Sequence, residues 1–168
     1  MNDQIPDYQY CPFCGRQLIF RTTPEKERLY CTACDWTYYP HIATSVGAII
    51  QKDNQVLLVK RDIEPFKGYW QLPAGFIEYG EHPHTALERE VEEETGLQVK
   101  DIEFFQLFQV NDDPREPGHL FLSFKTKVSS GSITTDENEN SDIAWHSLDD
   151  LPPIGWHSHQ AILKSLIS

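Results

Sequence analysis

From residue 44 onward, short apolar and β-branched runs alternate with polar breaks. Residues 44–50 and 55–60 read as two strands of a hairpin, with Lys52-Asp53-Asn54 as the turn. Residues 104–110 and 119–128 read as two more strands, joined by a polar loop that contains Pro114, Pro117 and Gly118. Between these pairs the period changes. Residues 83–94 predict a helix, because Pro83 suits a first helical turn and Gly96 a left-handed stop. Leu87 and Val91, one turn apart, form the face that docks it on the sheet. Residues 156–167 predict a second helix with Ile162, Leu163, Leu166 and Ile167 on one face, and Asp149-Asp150-Leu151-Pro152-Pro153 before it reads as a turn and stop. Residues 129–142 are polar enough for a mobile loop, while Trp70 and Trp145 are core or sheet-packing aromatics and Phe104, Phe105 and Phe108 are core candidates, one of which could instead line a pocket. The sum is an α/β domain over residues 41–168.

The first 40 residues follow another logic. All four cysteines lie there, as Cys11-Pro12-Phe13-Cys14 and Cys31-Thr32-Ala33-Cys34. Each CxxC makes a tight knuckle that points two thiolates at one ion, and two knuckles complete a tetrahedral Zn²⁺ site; this is zinc-ribbon spacing. So short a segment has too little core to fold alone, so the metal supplies much of its stability. Disulfides are disfavoured in a chain whose start, Met1-Asn2-Asp3-Gln4-Ile5-Pro6-Asp7, carries no basic region followed by an apolar stretch, and a redox motif needs no duplication. Four thiolates leave no position for water, so the zinc is structural. The expected organisation is a zinc ribbon over residues 1–40 and a catalytic domain over 41–168.

Charge narrows the function classes. The chain carries a net −12, which opposes long-range attraction to nucleic-acid phosphates. The ribbon is only weakly basic, with Arg16, Arg21, Lys26 and Arg28 against Glu25 and Glu27. No apolar run approaches the roughly 20 residues of a membrane span, so a soluble, cytoplasmic protein is expected, with nucleic acid not a partner. Half the net charge falls between Gly75 and Leu97, where Glu78, Glu81, Glu88, Glu90, Glu92, Glu93 and Glu94 face one base, Arg89. Glu90, Glu93 and Glu94, spaced i, i+3 and i+4, share one helix face. Their mutual repulsion is best relieved by a hard divalent cation such as Mg²⁺, which takes oxygen ligands and keeps waters. No Walker-type or dinucleotide-fold glycine motif is present, and His157 and His159, two apart, do not share a face for a second metal site.

Gly75-Phe76-Ile77-Glu78-Tyr79-Gly80-Glu81, followed after seven residues by Arg89-Glu90-Val91-Glu92-Glu93-Glu94-Thr95-Gly96-Leu97, fills every specified position of G-x5-E-x7-R-E-U-x-E-E-x-G-U, with U a bulky aliphatic. The segment resembles a complete Nudix box, and Leu72-Pro73-Ala74 is also the usual approach to one. That resemblance implies a Nudix-type α/β/α sandwich with a mixed sheet. It further implies that Glu90, Glu93 and Glu94 hold Mg²⁺ or Mn²⁺, that Arg89 and Glu81 steady the loop–helix geometry, and that a backbone carbonyl of Ala74 or Gly75 adds a ligand. The general base varies among such enzymes; Glu93, Glu137 and Glu139 are the candidates here. A ribbon joined to a Nudix domain resembles NADH pyrophosphatases and hydrolases of ADP-ribose or FAD, which implies a small nucleotide substrate and allows a homodimer. The Ser-Gln-Pro-Trp-Pro-Phe-Pro type segment of NADH pyrophosphatases is replaced by Phe104-Phe105-Gln106-Leu107-Phe108-Gln109-Val110. ADP-ribose and FAD therefore rank above NADH. The alternatives are a nucleoside triphosphate pyrophosphatase and a non-catalytic nucleotide- or RNA-binding regulator.

Overall fold

A computed structural model describes residues 8–22, 24, 26–135 and 138–167. Contacts divide the chain into Met1–His41 and Ile42–Ser168. In the first unit, β1 (Ile19–Thr22) pairs antiparallel with β2 (Glu27–Cys31), and β3 (Trp36–Thr37) joins β2. Gly15, at φ 68°, closes the turn behind the first knuckle by donating its N–H to the Cys11 carbonyl at 2.9 Å. Buried groups are few: among the described residues Cys11, Leu18 and Cys31 form the centre, with Leu29 and Trp36 against them.

The second unit is organised by alternation along two strands, β4 (Thr44–Lys52) and β5 (Gln55–Arg61). Val46, Ala48, Ile50 and Leu57 point to one face of the sheet, and Ile49, Val56 and Leu58 to the other. Each face needs a cover. Helix α1 (Pro83–Thr95) covers the first with Ala86, Leu87 and Val91, and α2 (His157–Leu166) covers the second with Ile162 and Leu163. The remaining strands are β6 (Trp70–Gln71), β7 (Ala74–Phe76), β8 (Leu97–Val110), β9 (His119–Gly131) and β10 (Asn140–Ser147). The order is β10-β5-β4-β9-β8, with β6 on β5 and β7 on β4. Among the described strands of this sheet, β4 and β9 alone pair in parallel, so the sheet is mixed and the architecture is an α/β/α sandwich preceded by a small cysteine-bearing module. Gly47 permits the close layering at the centre, since a Cβ there would strike the Phe121 ring. No helix among the described residues is long and apolar enough to cross a membrane.

Residues 129–142 are not one loop. The β9 strand continues to Gly131 against Leu97, and β10 begins at Asn140 opposite Arg61, because ladder hydrogen bonds do not depend on side-chain polarity. The same ladder starts β8 at Leu97 rather than at residue 104. Phe104 is 54% exposed rather than core; register shifts between Phe104 and Gln106 break the alternation there, and Phe105 and Phe108 are only half-buried. Ile167 lies past the end of α2 and is also exposed. Trp70 is buried, and Trp145 packs half-buried against the cluster under α1.

Candidate active site

The segment from Gly75 to Leu97 contributes the end of β7, a loop and the whole of α1. Pro83 opens the helix and Gly96, at φ 70°, ends it by donating its N–H to the Glu92 carbonyl at 2.8 Å. The loop is tied to the helix by one guanidinium. Arg89 donates from Nε and Nη2 to the Glu81 carboxylate, each at 3.0 Å, and from Nη2 to the Phe76 carbonyl at 3.1 Å. Its Nη1 reaches Glu90 at 2.7 Å and Glu93 at 3.1 Å. Glu81 also accepts the Glu78 N–H at 3.0 Å. Hydrogen bonding to Arg89, then to Glu78, holds its carboxyl below the usual range.

The three helix acids have different surroundings. Glu93 is 57% exposed at its side chain, Glu90 only 14%. Burial raises the Glu90 pKa against the pull of Arg89. Glu94 is buried; its Oε2 accepts the Ala74 N–H at 2.8 Å and its Oε1 the Asn140 amide at 3.3 Å. Burial outweighs both bonds and pushes its carboxyl to about 8. Gly75 lies directly against Glu90, where a Cβ would overlap the carboxyl group. All three acids, with Ala74, Gly75 and Glu139, line one cleft of about 320 Å³. They do not form one tight ligand set: Arg89 Nη1 draws Glu90 and Glu93 together, while Glu94 faces Ala74 and Asn140.

Glu139 is exposed at the mouth of this cleft, just before β10, and Glu137 lies outside the described residues. The cleft also contains residues that periodicity and motif had assigned no site role. Arg61 ends β5, Asp113 and Arg115 come from the β8–β9 loop, and Trp156 and His159 from the start of α2. Asn140, which had been assigned no site role either, is buried behind the cleft wall and bonds Glu94. The only trace of them in the sequence was a charge closing an apolar strand, Lys60-Arg61, and a cluster of charges in the β8–β9 loop. His159 Nδ1 accepts the Leu72 N–H at 3.1 Å, which leaves the ring proton on Nε2. Burial, aided by the charges of Arg61 and His119, pushes its pKa down to about 3.

In the first unit the four thiol sulfurs lie within 4.8 Å of one another, the one such set of three or more ligating groups among the described residues. Burial pushes the Cys31 thiol up, but the N–H groups of Cys34 and Ala33 and the thiols of Cys14 and Cys11 outweigh it and bring it to about 7.

A family model described as NUDIX domain matches residues 40–166. The NAD-capped RNA hydrolase NudC of Haemophilus influenzae (strain PittGG) is 31% identical over 173 residues, covering 99% of this chain and 63% of that protein. The protein of the same name from Escherichia coli O1:K1 / APEC is 32% identical over 148 residues, covering 86% of this chain and 54% of that protein. The chain thus spans roughly half to two thirds of the length of these curated relatives. The crystal structure of a NUDIX hydrolase from Nitrosomonas europaea matches with a TM-score of 0.72 at 28% identity, covering 93% of this chain and 88% of that one.

Proposed function

The chain belongs to the NUDIX hydrolase family, and from that premise we propose that it cleaves the phosphoanhydride of an adenosine diphosphate derivative, with ADP-ribose or FAD ahead of NADH and AMP as one product. The observation that carries this reading is a complete box whose Glu90, Glu93 and Glu94 line one cleft with the cations Arg61 and Arg115. The donor set suits a hard ion: carboxylates and backbone share a wall, Gly75 leaves room at Glu90, and Mg²⁺ keeps waters, so the acids need not touch one another. We assign Mg²⁺ or Mn²⁺ to Glu90, Glu93 and Glu94 with a carbonyl of Ala74 or Gly75. When bound, the ion neutralises charge on the diphosphate and lowers the pKa of the attacking water. Zn²⁺ is assigned to Cys11, Cys14, Cys31 and Cys34 as a structural ion.

The chain's own groups divide the remaining work. Arg89, clamped by Glu81, holds the acids of α1 in place and anchors the helix to the end of β7. A carboxylate takes the proton released by the attacking water, and the exposed Glu93 and Glu139 are the two candidates among the described residues. Relatives bear the name NAD-capped RNA hydrolase, and NAD is itself an adenosine diphosphate derivative. The charge argument against nucleic acid concerns long-range attraction to a polyanion, not recognition of one 5′ end, so NAD-capped RNA joins the substrate panel.

The deciding measurement is kcat/KM for ADP-ribose, FAD, NADH, NAD-capped RNA and the nucleoside triphosphates at equal Mg²⁺. We expect an adenosine diphosphate derivative to lead. A triphosphate ahead of all of them by tenfold or more overturns the substrate reading, and no turnover on any of the panel overturns the enzymatic one.

A further inference from the structure

Arg61 is 6% exposed, and its guanidinium is held on two of its three nitrogens. Nε donates to the Pro65 carbonyl at 2.7 Å and Nη1 to Gln71 Oε1 at 3.2 Å. The same Gln71 oxygen accepts the Trp156 indole N–H at 2.7 Å, so it is already used twice. Arg61 Nη2 is buried and has no partner. No described carboxylate forms an ion pair with Arg61. Its neighbour in the cleft is treated differently. Arg115 donates to the buried Asp113 at 3.0 and 2.8 Å and is thereby compensated, with its guanidinium 5.9 Å from the ring centres of both Phe76 and Trp156.

A buried cation without an anion is costly, and a buried donor without an acceptor adds to the cost. Both penalties fall on one side chain that lines the cleft of the Nudix acids. Arg61 is also braced: 5.5 Å from the centre of the Trp156 ring and pinned at Nε and Nη1, it cannot turn to find a partner. The ligand that relieves both penalties is an anion presenting an oxygen to Nη2, and a guanidinium matches phosphoryl oxygens best.

We propose that Arg61, with Arg115 beside it, is the anion subsite of this cleft and takes a phosphoryl oxygen of the nucleotide. This rests on the hydrolase reading above and deepens it. The subsite lies outside the Arg89 network, so the substrate phosphates are gripped by a preformed guanidinium as well as at the box. Asp113 is a positioning residue that fixes Arg115 over the cleft.

The test is calorimetric binding of the non-hydrolysable α,β-methylene-ADP with Mg²⁺ to the wild type, Arg61→Gln and Arg61→Lys, with adenosine as the phosphate-free arm. Arg61→Gln should weaken α,β-methylene-ADP by about thirtyfold, the usual weight of a hydrogen bond to a charged group. It should leave adenosine binding and zinc content unchanged, and the ligand-free protein should melt no lower than wild type, because an uncompensated charge has been removed. Arg61→Lys, which keeps the charge but not the fork, should fall between. Equal α,β-methylene-ADP affinity in Arg61→Gln and wild type overturns the proposal. So does equal weakening of adenosine, or unfolding of both variants, since either makes Arg61 a structural cation. Wild-type protein that binds α,β-methylene-ADP through Arg61 but hydrolyses nothing would sink the enzymatic reading and leave the subsite standing.

Discussion

The two units of this chain gather ligating side chains in opposite ways. In the N-terminal unit four sulfurs sit within 4.8 Å of one another, and among the described residues the buried centre is Cys11, Leu18 and Cys31. In the second unit three carboxylates line a cleft on a helix whose Ala86, Leu87 and Val91 belong to a cluster of ten buried apolar residues. A closed thiolate set can hold a fold together but leaves no position for a substrate. An open carboxylate set can do chemistry only because packing elsewhere bears the cost of keeping like charges close.

That contrast is most sharply tested at Cys31. Cys31→Ser should release the zinc, a loss set against apparent binding energies of about 10–16 kcal/mol for such sites, and unfold the first unit while Ile42–Ser168 melts as before. Elemental analysis and hydrogen exchange on the full chain check it; a first unit that keeps its exchange protection without metal would break the comparison. The reciprocal change is Leu87→Ala, which leaves a cavity under α1 and should lower the stability of the second unit by about 2–5 kcal/mol without altering zinc content. Denaturant melts followed beside metal analysis separate the two.

Replacing a carboxyl by its amide, instead of removing packing, should leave both folds intact. Glu93→Gln and Glu94→Gln are each expected to lower turnover at least about a hundredfold, or about 2.7 kcal/mol, while melting temperature and zinc content hold. A chelator of Mg²⁺ should abolish activity, and Mg²⁺ or Mn²⁺ restore it. Near-wild-type rates in both variants would mean that the open carboxylate set is not the reacting site.

The smallest effect belongs to His159. Its folded pKa of about 3 lies below the ordinary 6.5, so the unfolded chain takes up a proton that the folded chain refuses. Stability from this residue is full above pH 6.5 and is lost as pH falls toward 3, by roughly 2 kcal/mol at pH 5. The raised carboxyls of Glu90 and Glu94 act with the opposite sign. The quantity to read is therefore the difference between wild type and His159→Gln: the variant should lose less stability between pH 7 and pH 5, and parallel curves would show that His159 is not held neutral.

Local spacing alone determined a good part of this protein. Two CxxC knuckles, a strand hairpin at residues 44–60, a helix between Pro83 and Gly96, and three acids on one helix face all follow from contacts a few residues apart. Arg89 reaching Glu93 is of the same kind, an i,i+4 pair. Tertiary structure decided the rest. The Glu94 carboxyl turns to Asn140, 46 residues away, and Gln71 holds both Arg61, 10 residues before it, and Trp156, 85 residues after it. The edge strand β10 begins as early as the polar Asn140 because Arg61 and its strand offer it a ladder, while only its later residues, Ile143 to Trp145, alternate between the two faces. A periodicity reports which face a residue takes, but not which distant group will leave its hydrogen-bonding capacity unfilled; Arg61 Nη2 is decided only when β5, the β8–β9 loop and α2 close around one cleft.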